Sequence, residues 1–464
     1  MSDLIARLES VAPVAAPGNW DDVLARAEGL HRRTVRKRLL VAIAVALLAV
    51  PTIAIATGHW NLFSLTATDE EVPLPEGEAK LGYVVGNEVR LPGRRPSKLA
   101  GSVGAYMGSQ NPLVVPSADG RTLVYHTWVR ELDRRRGALK SATNFLRSFD
   151  AETGRDELLE RGAAAAAWRR DGALAYLRPT VPEFRNNRRG WRGARFGHIV
   201  VRRSLTAPAV RWTTTEAAWV PLAWAGNVLL AQSTVASSGA GSFPSGVWAF
   251  LGADRGRPLP FHTLIAVSPD GRLVLGVGSK DGSTTVMSVV EPATGRTVVS
   301  TTADELPGVD KDGIDRILVV PLGGGSWADD TIIGPSGPGH AIGGVIDFNR
   351  PETLEREGEA GLSVLRFSDG KLSIDRTLKL TGAVAEATGL PHRNDMFEFV
   401  RPVFVDGVGR QFTSELRVIP KSGRPLFFFV TCDIVDERCR RGRVRKPFST
   451  RTALVYNPSR PLPD

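Results

Sequence analysis

The stretch Ser268-Pro269-Asp270-Gly271-Arg272, followed by LVLGVG, decides the fold. Asp-Gly suits a tight turn, because glycine takes positive φ and the aspartate carboxylate can accept the next backbone amides. Apolar residues flank the phrase on both sides, so it reads strand–turn–strand. The phrase then returns along the chain. Ser117-Ala118-Asp119-Gly120-Arg121 precedes TLVYH, and Arg170-Asp171-Gly172 precedes ALAYLR. Weaker copies are Ala225-Gly226-Asn227 before VLLAQ, Asp329-Asp330 before TIIG, and Asp406-Gly407 before VGRQF.

The turns fall near 119, 171, 226, 270, 330 and 406, at irregular intervals that centre on the size of a four-stranded unit. A second hairpin type lies between them: NFLRSFDAETGRDELLE, TTVMSVVEPATGRTVVS and LSVLRFSDGKLSIDRTL. Each unit is then two hairpins. Four short strands cannot bury both faces alone, and stacking such units in a ring solves that problem. The pattern predicts an all-β fold, a β-propeller of four-stranded blades. A further hairpin, LGYVVGNEVRL at 81–91, and a lone strand, RTALVY at 451–456, lie at the two ends. An open ring would leave an unpaired edge, so the C-terminal strand is expected to complete the first blade. Six full units and this composite one make seven blades, with six as the alternative.

The S-x-D-G-R phrase before an apolar strand resembles the TolB-like β-propeller repeat of bacterial envelope proteins, over roughly residues 80–460. The resemblance implies protein or ligand contacts in the envelope and no shared catalytic residues.

Composition agrees with many short strands. Glycine (48) and proline (31) are plentiful in the 464 residues, and helix-rich composition is confined to the part before residue 58. In that part, Leu39–Gly58 is a run of 20 residues without formal charge. As a helix it is about 30 Å long, the thickness of a bilayer's hydrocarbon core. Arg32, Arg33, Arg36, Lys37 and Arg38 flank it on one side, and the first charges on the other are Asp69, Glu70 and Glu71. The positive-inside bias then places the N-terminus in the cytoplasm and the rest outside. The rival reading is a cleaved signal peptide, since Ala54-Ile55-Ala56 has the A-x-A form. Against it stand the 38 preceding residues and an apolar run longer than the usual roughly 7–15 residues.

The expected organisation is a cytoplasmic amphipathic segment (1–38), a transmembrane helix (39–58), a linker (59–79) and an extracytoplasmic propeller (80–464). Trp20, Val23, Leu24, Ala27 and Leu30 form one apolar stripe in the first segment. Such a helix either lies on the membrane surface or docks a cytosolic partner.

The formal charge is +10, and the stretch from Arg130 to Arg211 alone holds 19 Arg/Lys against 9 Asp/Glu. Within it, residues 178–203 carry eight arginines and one acid, with Phe184, Trp191 and Phe196 among them. Arginine with aromatics suits nucleic acid or other anionic polymers. Outside a membrane no nucleic acid is expected, so the candidate partners are phospholipid headgroups, acidic wall polymers and acidic proteins. The candidate binding residues are Arg185, Arg188, Arg189, Trp191, Arg192 and Arg195, read as a surface loop. A second basic run, Arg438 to Lys446, follows the two cysteines.

Cys432 and Cys439 flank DIVDER, six residues of turn-like composition. Across a hairpin they would face each other, and in an oxidising exported space a disulfide is expected.

Catalytic signals are sparse. Gly324-Gly325-Ser326-Trp327-Ala328 approaches the G-x-S-x-G elbow, yet no helix pattern follows. No two of the seven histidines lie within a helical turn, and none pairs with cysteine at zinc spacing. The Asp-Gly phrases lack the D-x-D-x-D ladder of a calcium loop, so their aspartates read as turn formers. No catalytic residue, metal or cofactor is assigned. The leading expectation is a non-enzymatic binding or scaffolding module for a protein or anionic envelope component. The alternative is a hydrolase or lyase with its site in the central channel. Clustered acids and histidines at the channel mouth would favour the enzyme; apolar and small residues there would favour binding.

Overall fold

The computed structural model describes residues between Gly82 and Val455. Within that range it leaves out 92–94, 105–113, 118–120, 133–138, 164, 182, 188–189, 193–196, 214–217, 238–240, 254, 281–283, 303–304, 306–324, 337–360, 390–395, 405–406, 420–425 and 442–451. The amphipathic segment, the apolar run Leu39–Gly58 and the linker therefore lie outside the described residues. Among those described, no helix is long and apolar enough to cross a membrane.

The fold is an all-β propeller. Among the described residues seven antiparallel sheets follow one another. The successive strands of six of them lie at 114–161, 166–211, 218–258, 263–302, 326–379 and 396–441, called here the second to seventh sheets, and the second also takes in two strands from within the 166–211 span. The first sheet is composite. Its strands Gly82–Val85, Glu88–Arg90 and Ser97–Lys98 take the C-terminal strand Thr452–Val455 as their fourth member. Gly82 pairs with Val455 and Val85 with Thr452, the end-to-end closure expected from the sequence. In each of the second to seventh sheets the first strand is an edge strand, and these edge strands neighbour one another around the central axis.

The repeated phrases fall where they were expected. Those at 171, 226, 270 and 330 join the first strand of a sheet to its second, and the other hairpin type joins the third to the fourth. Asp119 and Asp406 lie outside the described residues, but the strands on either side of them pair in the same way. The aspartates do bond backbone amides: Asp270 Oδ1 accepts from Arg272 N at 3.0 Å, and Asp171 Oδ1 from Ala173 N at 3.1 Å.

Both faces of most sheets are buried, which explains the continuous apolar runs of the second strands. Along Leu174–Pro179, Leu174 and Tyr176 pack with Val124 and Leu146 of the second sheet. Ala175 and Leu177 pack with Trp219 and Leu229 of the fourth. The core is thus a series of layers between neighbouring sheets, and period-2 alternation decides which neighbour each side chain meets.

Two features depart from the sequence reading. A helix, α1 (Thr381–Thr388), lies between the sixth and seventh sheets, although helix-rich composition ends before residue 58. It buries Val384 and Ala385 against the seventh sheet, and Gly389, with φ of 69°, ends it by donating to Ala385 O at 2.8 Å. The cue in the sequence was Ala-rich helix formers followed by Gly-Leu-Pro. The second departure is the basic segment, described below.

Candidate functional site

The first strands and turns of the third to sixth sheets surround a cavity of 560 Å³. Two of those strands are bulged. The register slips between Pro221 and Ala223 in the fourth sheet and between Leu264 and Ala266 in the fifth, leaving Leu222 and Ile265 unpaired along the cavity wall. A bulge bends its strand and re-aims side chains, and so opens space at a ring's inner edge. Ile265 O accepts from Gly325 N at 2.8 Å, which ties the fifth sheet to the sixth beside the cavity. The turns of the fourth and fifth sheets touch. A Cβ on Gly271, with φ of 71°, would lie 2.4 Å from Gly226 N, so no other residue suits that position.

Trp168, Trp224 and Trp327 contribute aromatic wall. Arg169 donates to both carboxylate oxygens of Asp171, at 2.7 and 2.5 Å, and its guanidinium lies 4.8 Å from the Trp224 ring centroid. Trp224 Nε1 donates to Ala167 O at 3.1 Å. The bond from Arg169 holds the Asp171 carboxyl below its ordinary pKa. Partial burial pushes the Asp270 carboxyl up, but the Ser268 hydroxyl, the Arg272 amide and the Arg272 charge together hold it below its ordinary value. Both aspartates are therefore carboxylates engaged in turn and ion-pair work. No histidine is among the described residues that line the cavity. Ser326 opens the first strand of the sixth sheet, with no turn into a helix.

The basic segment was read as a loop. It is instead a β-hairpin, Glu183–Asn187 and Gly190–Arg192, inserted between two strands of the third sheet and paired onto the second. Glu183 faces Thr143 and Arg185 faces Ser141 across the junction. The β-favouring Phe184 and Trp191 on its two strands were the available signal, hidden by the charge count. Arg185 and Arg192 are register partners, and Trp191 pairs with Asn186. Arg188, Arg189 and Arg195 lie outside the described residues.

Other arginines of the segment serve the fold. Arg178 Nη2 lies 2.8 Å from Glu160 Oε2, and Arg202 Nε donates to the Tyr176 hydroxyl at 3.0 Å, which itself donates to Glu160 at 3.0 Å. A similar cluster joins Tyr125, Asp156 and Arg147, with Arg147 Nε 2.7 Å from Asp156 and the hydroxyl of Tyr125 donating to the same carboxylate. Burial first, then the Asp156 carboxylate, raises the Tyr125 pKa.

Cys432 and Cys439 form a disulfide across the seventh sheet. They are register partners on Leu426–Asp433 and Arg438–Arg441, with Cα atoms 4.1 Å apart. Asp433 Oδ1 accepts from Val435 N and Asp436 N, shaping the turn between them. In the second basic run Arg441 lies over the Phe428 ring at 5.1 Å, and burial lowers its pKa.

The described histidines are His126, His198 and His262, on the second, third and fifth sheets or beside them. His126 is buried, 2 % exposed, in the second sheet, and His262 is half-buried beside the fifth. Among the described residues no group of three or more His, Cys, Asp or Glu is placed to hold a metal ion.

No protein-family model and no curated protein matches the chain. Solved propellers do. The chain is similar to TolB from Acinetobacter baumannii at 13% identity and TM-score 0.32, over 64% of this chain and 65% of that one. It therefore spans a little under two thirds of TolB. It is also similar to an oligogalacturonate lyase in complex with manganese, at 12% identity and TM-score 0.35 over 74% and 81% of the two chains. A third is an acylaminoacyl peptidase from Pyrococcus horikoshii, at 9% identity and TM-score 0.40 over 76% and 47%. Each likeness is one of fold alone.

Proposed function

We propose that this chain is a membrane-anchored, extracytoplasmic propeller that works without catalysis, binding an anionic component of the cell envelope through its inserted basic hairpin. The observation that supports this reading is the register opposition of Arg185 and Arg192. Like charges directly opposite each other on an antiparallel pair destabilise it. An anionic partner bound at the hairpin offsets that cost, and the Arg188, Arg189 and Arg195 of the same segment add charge for it. The aspartates of the cavity, already engaged with Arg169 and the Ser268 turn, favour binding over the hydrolase or lyase alternative.

The anchor is Leu39–Gly58, with residues 1–38 left in the cytoplasm to lie on the membrane or meet a partner. Binding of the full chain to vesicles containing an anionic phospholipid, against vesicles of neutral lipid alone, tests the partner class. Binding should weaken steeply above physiological salt, where charges are screened beyond about 8 Å. Replacing Arg185, Arg188, Arg189, Arg192 and Arg195 by Ser should remove it, whereas Trp191→Ala should weaken it even at high salt. If the five-fold variant binds as well as the parent at low salt, the hairpin is only a solvated arginine surface. Release of a soluble protein beginning near Thr57 would overturn the anchor.

A further inference from the structure

Arg170 stands out at the mouth of the cavity. It is exposed, and among the described residues its hydrogen bond is to a neutral backbone carbonyl, Pro269 O, at 3.3 Å. That bond reaches from the turn of the third sheet to the turn of the fifth, across the Gly226–Asn227 turn of the fourth. The other charged side chains of the mouth are already engaged: Arg169 with Asp171, and Asp270 with Ser268 and the Arg272 amide. Behind them the wall is apolar, from Leu222, Ile265 and the three tryptophans.

We propose that this cavity binds a small organic carboxylate, with the carboxylate on Arg170 and a flat or ring-shaped apolar body against Trp168 and Trp224. The volume suits a small molecule, since such pockets run to about 300–1,000 Å³ and combine apolar walls with a few polar groups. A guanidinium bonded to a neutral carbonyl exchanges it readily for a carboxylate, because the charge-assisted, two-pronged bond is shorter and stronger. The exchange also frees the Pro269 carbonyl and opens the strap across the mouth. Asp171 and Asp270 flank Arg170, so the mouth has room for one negative charge but repels a second. This selects a monoanion over a phosphate ester. The site is separate from the basic hairpin, and its ligand is a small molecule, not a polymer or lipid surface.

The test is calorimetric titration of the full chain with naphthoate, the neutral naphthalenemethanol and naphthyl phosphate. Naphthoate should bind once per chain and more tightly than either analogue. Arg170→Met, at an exposed turn position outside the core, should weaken naphthoate about tenfold or more, and Arg170→Lys by less. Asn227→Trp, which fills the mouth from the fourth turn, should abolish binding. Equal affinity for the alcohol, or an unchanged affinity in Arg170→Met or Asn227→Trp, overturns the proposal. So does failure of naphthoate to bind at all. That failure leaves vesicle binding by the hairpin intact, whereas loss of vesicle binding with naphthoate still bound counts only against the hairpin.

Discussion

The second and fifth sheets begin with the same turn and end as different objects. In the second, Ser117 Oγ accepts from Thr122 N at 3.0 Å; in the fifth, Ser268 Oγ accepts from Leu273 N at 2.9 Å. The adjoining backbone bonds, Ser117 N to Thr122 O and Ser268 N to Leu273 O, are 2.8 and 2.9 Å. Beyond the turn they diverge. The second and third strands of the fifth sheet have 6 and 7 residues, whereas those of the second, Thr122–Leu132 and Leu139–Asp150, have 11 and 12. The extra length carries the inserted hairpin. The fifth sheet buries Ile265, Leu275, Val277, Met287 and Val289 with the polar Thr263 and Ser288, while the second buries more polar side chains, His126, Thr127, Ser141, Thr143, Asn144 and Ser148. A turn is a local device that sets where the chain reverses. What the strands bury depends on the neighbours that pack on them.

The largest expected difference between the two sheets is in pH dependence. Burial lowers the His126 pKa to about 4, with the Ala163 backbone acting the other way, and among the described residues neither ring nitrogen has a hydrogen-bond partner of good geometry. The folded state keeps this ring neutral, while the unfolded chain takes up the proton near the ordinary 6.5. Stability is therefore full above about pH 6.5 and falls by about 3 kcal/mol as pH drops towards 4, then levels off. His126→Leu should flatten that slope in urea unfolding measured across the window. Burial also lowers the pKa of His262, beside the fifth sheet, so His262→Leu should reduce the slope in the same direction but by less. An equal effect from the two substitutions would erase the contrast.

A matched pair probes what the sheets share. Ser117→Ala and Ser268→Ala each remove the acceptor of one turn amide, at a cost of about 1 kcal/mol, and Ser268→Ala also removes the hydroxyl that donates to Asp270. Unequal losses in chemical denaturation would mean that the turns are not energetically equivalent. The smallest effect belongs to the extended tip of the second sheet. Lys140 and Glu131 pair there at 2.5 Å, but both are more than half exposed, at 60% and 56%. Lys140→Ala should change stability by less than about 0.5 kcal/mol. A larger loss would show that the tip contributes to the fold and does not merely carry the hairpin.

Much of this fold was legible from the repeat. The turn aspartates, the two hairpin types, the closure of the first sheet by residues 452–455 and the facing of Cys432 with Cys439 are all consequences of local spacing and period-2 alternation. The candidate cavity was not legible. It depends on unpaired residues at Leu222 and Ile265, which look like any other apolar strand residue in sequence. Arg178 and Arg202 illustrate the same limit. The count of arginines could not separate those held by Glu160 and Tyr176 from those on the inserted hairpin.

By itself, the sequence determined where the repeated turns fall, which two hairpin types they join and that the first sheet takes its fourth strand from the C-terminal end, because these rest on φ preferences and alternation within a few residues. Only the tertiary structure decided that residues 183–192 would leave the third sheet to pair with the second, and that the turns of the third, fourth and fifth sheets would converge on one cavity. Those outcomes join segments far apart in the chain, Arg170 with Pro269 among them. The backbone groups and surfaces that meet there find their partners only once neighbouring sheets are in place, and nothing in the local chemistry of either segment specifies the other.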